Sequence, residues 1–260
     1  MSGPKTGGRS ESHKHALSIQ YRMTPPICDL VREISYKSVV FETAKEVIDR
    51  PPHPFGQAFH SIHWIRCTGK SNRAVGSKKS HGIGNEAEVA AAVRMVNRMA
   101  EILQTFPGRE TYTVGVIAMY RQQVDALEKA FRRSLPGGPF RIDRDLATGE
   151  YRIGFKERLA LRIELGTVDS FQGREKDAII VSLVETDPRK ARFFYDPRRL
   201  NVALSRAKEL LVLVGAIDVL GAKPQAPGGG NKSNPLWELH NILRQFAATG
   251  SASREIFNAD

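Results

Sequence analysis

Two stretches in the second half of the chain gather the residues best suited to chemistry. They are Gly166-Thr-Val-Asp-Ser-Phe-Gln-Gly-Arg-Glu-Lys-Asp177 and Asp196-Pro-Arg-Arg-Leu-Asn-Val-Ala-Leu-Ser-Arg-Ala207. The first sets Gln172, Gly173, Arg174 and Glu175 just past a short apolar strand. The second threads Arg198, Arg199 and Arg206 through an otherwise apolar helix. An arginine buried on a core-facing helix needs an anion opposite, because an unpaired buried charge is strongly destabilising. A nucleotide phosphate suits the fixed fork of guanidinium donors. A structural ion pair with Asp or Glu answers the same need, and these two stretches alone do not choose between them.

The elements that must position these residues are legible in the spacing. Thr24-Pro25-Pro26 reads as a helix start, with Thr24 as cap and Pro25 in the first turn. Ile27, Leu30, Val31 and Ile34 then fall on one face. Ala58–Ile65 reads as a strand, and residues 66–84 as an exposed basic loop. Asn85 caps a further helix with Glu88 in the capping-box position, and Val89, Val93, Val96, Ala100 and Leu103 form its apolar stripe. Val114–Ala118 is a short continuous apolar run, the pattern of a parallel strand buried on both faces. A helix follows, with Val124, Leu127 and Phe131 on one side. Residues 136–160 break the rhythm with a basic hairpin turning at Thr148-Gly149. Strands over Leu165–Val168, Ala178–Val184 and Leu210–Gly215 come next, the last two flanking the arginine-bearing helix. The stretch 221–234 is a Pro/Gly-rich linker, and residues 235–260 hold a last helix, with Leu236, Leu239, Leu243 and Phe246 on its apolar face, and a tail. Alternating strands and helices predict an α/β fold with a parallel sheet covered on both faces, its ligands at the carboxyl ends of the strands.

The bulk numbers narrow the partners. A chain of 260 residues with 39 basic against 28 acidic side chains carries +11, which favours a polyanion, nucleic acid above all. No apolar run approaches the about 18 residues that a membrane span requires. Residues 1–14 have no apolar stretch of the signal-peptide kind and read as a flexible lead. Two cysteines, Cys28 and Cys67, are too few for a disulfide framework, so a reducing, intracellular compartment is expected. His60 and His63 lack Cys or acidic neighbours in sequence, and no metal site is expected of them.

A phosphate-cradling loop is missing. Gly69-Lys70-Ser71 imitates the end of one, but Trp64 stands where the motif requires its first glycine, and no helix follows. No acidic pair ends an apolar strand as a magnesium site would require, since Asp177 precedes its strand. The chain has residues suited to touching a nucleotide and lacks those suited to gripping one.

That division matches a family. Gln20-Tyr-Arg-Met-Thr-Pro-Pro26, Val114-Gly-Val-Ile-Ala-Met-Tyr-Arg-Gln-Gln-Val124, Val168–Asp177 and Arg198–Ala207 follow one another in this order. Together they resemble the second, C-terminal RecA-like domain of superfamily-1 helicases of the up-frameshift and senataxin type, over most of residues 15–216. The resemblance implies a RecA-like, P-loop NTPase-type fold over residues 15–220 that lacks its own P-loop. It implies ATP with magnesium held between this domain and an N-terminal RecA-like domain, in cis or in trans. Arg22 and Arg206 are then the arginines facing the γ-phosphate, Tyr21 the ring near the base, Glu175 the acid at the ribose, and Gln20 part of the same set. Gln172 and Gly173 shape the loop that links nucleotide state to nucleic-acid grip. Ser170, Tyr120 and Gln123 are the implied contacts to single-stranded nucleic acid. The chain departs from the family at Ala118-Met119-Tyr120, where Thr-Pro-Tyr is usual. The basic loop around Lys78-Lys79 and hairpin residues Arg141, Arg144 and Arg152 are candidates for further salt-dependent affinity. The reading that competes with a motor is a non-catalytic nucleic-acid- or protein-binding module on a retained RecA-like fold.

Overall fold

The structure is a computed structural model, and it describes residues 18–38, 42–67, 72–73, 83–106, 111–133, 140–144, 151–155, 158–191, 195–225 and 233–257. In chain order the elements are β1 (Ile19–Gln20), α1 (Pro25–Ser35), β2 (Glu42–Thr43), α2 (Lys45–Ile48), β3 (Ile62–Cys67), β4 (Asn72–Arg73), β5 (Ile83–Gly84) and α3 (Glu86–Thr105). Next come β6 (Tyr112–Ala118), α4 (Arg121–Arg133), β7 (Phe140–Arg144), β8 (Tyr151–Phe155), β9 (Arg158–Thr167), a 3-10 turn at Asp169–Phe171 and β10 (Lys176–Ser182). The chain continues through α5 (Pro197–Leu204), β11 (Ala207–Val214), α6 (Ile217–Leu220), α7 (Pro235–Ala248) and β12 (Ala252–Phe257).

The main sheet has eight strands in the order β12-β3-β11-β10-β6-β9-β8-β7. Pairing is parallel from β12 to β9 and antiparallel through β8 and β7. This is the α/β sheet that the alternation of elements predicted, with an antiparallel hairpin appended at one side. The hairpin strands are those expected within 136–160, while its tip lies outside the described residues, as do Lys78 and Lys79.

Continuous apolar strands need cover on both faces, and both faces have it. On one, Val96, Met99 and Leu103 of α3 and Leu127 and Phe131 of α4 meet Val114, Val116, Ile180 and Val212. On the other, Ile27, Leu30 and Ile34 of α1, Leu200 and Leu204 of α5 and Leu236, Leu239 and Leu243 of α7 meet Ile117, Ile179, Val181 and Leu213. Each helix thus buries the stripe that its period marked out.

Local readings needed correction at four places. The strand expected over Ala58–Ile65 runs instead over Ile62–Cys67, because Pro54–Gln57 and the segment after it turn tightly, with Phe55 O accepting from Phe59 N. Thr24 occupies the cap position of α1, but its hydroxyl makes no capping bond, since the first helical residues are prolines and lack N–H donors. Asn85 does cap α3, accepting from Glu88 N at 3.2 Å, yet the Glu88 carboxylate turns into the core instead of completing the box. Residues 252–257, where no element was foreseen, add β12 to the sheet beside β3.

One connection positions the site. The segment 168–175 leaves the carboxyl end of β9 and must reach the amino end of β10 two places away in the sheet, with β6 between. It is too short for a covering helix, so it crosses the sheet face directly, with Phe171 fully buried against it. Room for that ring is made by two glycines. A Cβ on Gly115 of β6 would stand 2.7 Å from the Phe171 ring and 2.6 Å from Ile179, and one on Gly166 of β9 would stand 2.8 Å from the same ring. One short segment therefore touches both edges of the sheet.

Candidate functional site

Three segments are stitched together by backbone bonds at the amino ends of β10 and β11. Thr24 N donates to Lys208 O at 2.8 Å, and Lys176 N to Arg206 O at 3.1 Å. This joins the turn 20–24, the loop 172–176 and the corner after α5. The candidate residues gather at this edge and not at the carboxyl ends of the strands, which corrects the expectation. The physical cause is the direct crossing of 168–175, which delivers Gln172–Glu175 to the start of β10, while Arg206 precedes β11.

Arg22, Glu175 and Arg206 are brought together here. Arg22 Nε donates to Glu175 Oε2 at 2.6 Å, and Arg22 Nη1 to the Ser205 carbonyl at 3.1 Å. Lys208 Nζ reaches the other oxygen of Glu175 at 2.9 Å. Lys208 first, and Arg22 with it, hold the Glu175 carboxyl below its usual range against a smaller opposing effect of burial. Arg206 is fixed by backbone and a hydroxyl: Nε donates to Val202 O at 3.1 Å, Nη2 to Ser205 Oγ at 3.0 Å and Nη1 to Arg174 O at 3.4 Å. Burial, then the nearby charge of Arg22, pushes the Arg206 guanidinium below its ordinary value. Two adjoining cations, only one of them holding a carboxylate, make a place where an added anion is stabilised.

The remaining members of the set differ in exposure. Tyr21 is 62% exposed, with its ring open to solvent. Arg50, which no motif signalled, holds the turn in shape by donating to the Tyr21 and Arg22 carbonyls at 2.9 Å each. Gln20 is consumed internally. Its carbonyl accepts from Arg22 N and Met23 N, and its amide donates to Met23 O and Thr43 Oγ1. It shapes the arginine-bearing turn and has no amide group left over for a ligand. Gln172 and Gly173 are exposed at the end of the crossing segment, Gly173 with φ of 81°, a conformation that favours glycine. Arg199 stands 3.6 Å from Asp169, a surface contact, and Arg198 is exposed.

At the carboxyl edge the residues singled out for nucleic acid separate. Ser170 is exposed, its hydroxyl donating to Thr167 O at 2.8 Å, and Tyr120 is half-buried between the two core layers. Gln123 is fully buried and is withdrawn from any track: its carbonyl accepts from Asn85 N at 2.8 Å, and its amide donates to Asn85 O and Ser182 Oγ. Helical spacing places Gln123 one turn into α4 on the core side with Leu127, which the motif alone did not reveal. Beside it Glu88 is fully buried, accepting from Ser182 Oγ at 2.7 Å, Val184 N at 2.8 Å and Asn85 Nδ2 at 3.2 Å. Burial outweighs these bonds and lifts the Glu88 carboxyl to about 8. Val184, held by one of them, has φ of 70°, an uncommon backbone for a β-branched residue.

Among the described residues no group of His, Cys, Asp and Glu side chains is arranged to hold a metal ion, and no helix is long and apolar enough to cross a membrane. Asp177 instead accepts from Thr113 N and Oγ1, tying β10 to β6.

The AAA domain family AAA_12 matches residues 5–218. Regulator of nonsense transcripts 1 of Dictyostelium discoideum is 32% identical over 215 residues, covering 82% of this chain and 14% of that protein. Helicase sen1 of Schizosaccharomyces pombe is 30% identical over 208 residues, covering 78% of this chain and 11% of the relative. A crystal structure of the C-terminal domain of a possible DNA helicase from Lactobacillus plantarum overlays with a TM-score of 0.42 at 17% identity, covering 86% of this chain and 96% of that one. The chain therefore spans a small part of the curated relatives it matches.

Proposed function

This chain belongs to the AAA_12 family and is a C-terminal RecA-like domain of the superfamily-1 helicase type, and from that premise we propose that it is the second motor domain of an ATP-dependent helicase acting on single-stranded nucleic acid. The observation that carries the reading is the half-exposed cluster of Arg22, Arg206 and Glu175 at one sheet edge, with Arg206 held by carbonyls and a hydroxyl and not by a buried carboxylate.

ATP and its magnesium supply the phosphoryl chemistry when bound. The residues present fit the outer part of that group and not its metal: two guanidiniums face an open edge, while none of the described residues forms a metal-ligating cluster. The P-loop and magnesium ligands belong to an N-terminal RecA-like domain. Arg206, fixed in advance by its three bonds, stabilises charge that develops on the γ-phosphate. Arg22 would hold the same phosphate, and Glu175, kept in place by Lys208, would accept from a ribose hydroxyl. The exposed ring of Tyr21 offers a face to the base. Ser170 and Tyr120 lie on the strand-facing edge, and the crossing segment ties that edge to the nucleotide edge, so closure around ATP moves both together.

The test uses the two domains together. With a P-loop domain present, Arg206→Ala lowers single-turnover hydrolysis by about 10³–10⁵. The 260-residue chain alone turns over no ATP. Hydrolysis by the chain alone that Arg206→Ala abolishes would sink the two-domain reading.

A further inference from the structure

The edge of the main sheet formed by β12 carries features that the motor reading does not use. Among the described residues no strand pairs with its outer side, so a row of backbone N–H and C=O groups faces outward. Its side chains alternate between two different faces. Ser253 and Glu255 point toward α3 and are fully engaged: Ser253 Oγ lies 2.7 Å from His63 Nδ1, and Glu255 meets His63, Arg94 and Arg98. Ala252, Arg254 and Ile256 take the opposite face, beside α7. There Ile256 is 59% exposed, and Arg254 lies over the Trp64 ring at 4.5 Å with no carboxylate partner among the described residues. Arg244 of α7 likewise has none among the described residues. Arg244 and Arg254 flank a cleft of about 140 Å³ whose walls are Trp64, Leu243, Ala247 and Ala252.

We infer that this edge is a docking site for an extended acidic peptide of a partner protein, which adds a strand to β12 and carries its carboxylates and an aliphatic side chain at every second position, on the face toward α7. The three requirements of such a ligand each have a counterpart here. The peptide backbone pairs with the open edge, an aliphatic side chain enters the cleft, and carboxylates meet Arg244 and Arg254. The charge is complementary on one face only, because the acid on the other face, Glu255, is already neutralised by Arg94 and Arg98. Single-stranded nucleic acid fits less well. It would need a run of cations and an exposed ring for stacking, whereas Trp64 is buried under Arg254, and no nucleic-acid group pairs with a strand edge. This site is independent of ATP and of the arginines at the amino edge.

Random short peptides displayed on phage are selected against the whole chain, with Arg254→Glu and Arg244→Glu as counter-targets and Arg133→Glu, a distant charge reversal on α4, as control. The expected consensus places Asp or Glu and one Leu, Ile or Val at every second position, because strand residues two apart share a face. A synthetic peptide of that consensus loses roughly tenfold or more in affinity to either counter-target, keeps its affinity for the control, and slows amide exchange over 252–257. Thermal unfolding of each variant verifies that the exposed substitutions leave the fold intact. Four outcomes overturn the proposal: no enrichment, a neutral or basic consensus, binding indifferent to Arg254→Glu, or protection outside β12. Displacement of the peptide by a single-stranded oligonucleotide that itself depends on Arg244 and Arg254 also overturns it, because those arginines then hold phosphate.

Discussion

At the amino ends of β10 and β11, Arg22, Glu175, Arg206 and Lys208 stand half-exposed, with their charges close and only partly matched. At the carboxyl end of β10, Glu88, Gln123, Asn85 and Ser182 are buried, and with the Glu88 carboxyl lifted to about 8 all four are neutral groups near pH 7, saturating one another. Polar side chains at two ends of the same strands thus follow opposite logic. Water screens the first group, so its incomplete pairing costs little and leaves capacity for an incoming anion. The second group is desolvated, so every donor and acceptor must be satisfied inside the fold, and the reward is a fixed strand end. Sequence motifs ran through both groups without distinguishing them.

The sharpest way to break this contrast is Arg206→Ala in the two-domain protein. The expected loss in turnover of about 10³–10⁵ should come with a stability change under about 1 kcal/mol, read by urea unfolding. A large loss of stability would make Arg206 a structural residue and merge the two regions.

The next effect in size belongs to Glu88. Its carboxyl is raised from 4.5 to about 8 by burial, so in that window the folded chain keeps a proton that the unfolded chain has lost. Stability from this group is fully present below about 4.5 and falls as pH rises toward about 8, by a few kcal/mol in order of magnitude. Urea midpoints measured along that range should decline more steeply in the native chain than in Glu88→Gln. Parallel slopes would place the carboxylate in a wetter setting than its burial implies.

Gln123→Ala sharpens the same region. It strips Asn85 N–H of its acceptor and leaves a cavity beside Ser182, at a cost of about 2–4 kcal/mol in urea unfolding. Retained stability with weakened binding of single-stranded nucleic acid would restore Gln123 to the track from which its burial removes it. The smallest expected effect is at the open edge. Arg22→Ala should change stability by less than about 1 kcal/mol, with any difference fading in added salt.

Much of this was legible without coordinates. The stripes of α1, α3, α4 and α7, the apolar runs of β6, β10 and β11, and the arginine-bearing α5 follow from period and hydropathy, which depend on near neighbours in the chain. The ordered motifs were enough to identify the resemblance, and they named Arg22, Glu175 and Arg206, which do converge. Other outcomes depended on residues distant in sequence. Gln20 and Gln123 carry the same amide, yet one shapes a turn and the other locks two strands, because burial is set by what packs across from them. The strand β12 has no periodic signature and exists because β3 offers an edge where His63, with Arg98 of α3 beside it, receives Ser253 and Glu255. The edge at which these residues meet was likewise not encoded locally: Phe171, seated over Gly115 and Gly166, sends the segment 168–175 straight across the sheet. The sequence by itself determined which residue types are available and which elements they ride on. Tertiary structure alone decided which charges stay in water and which polar groups lose it, because desolvation is a property of the surroundings and not of the residue.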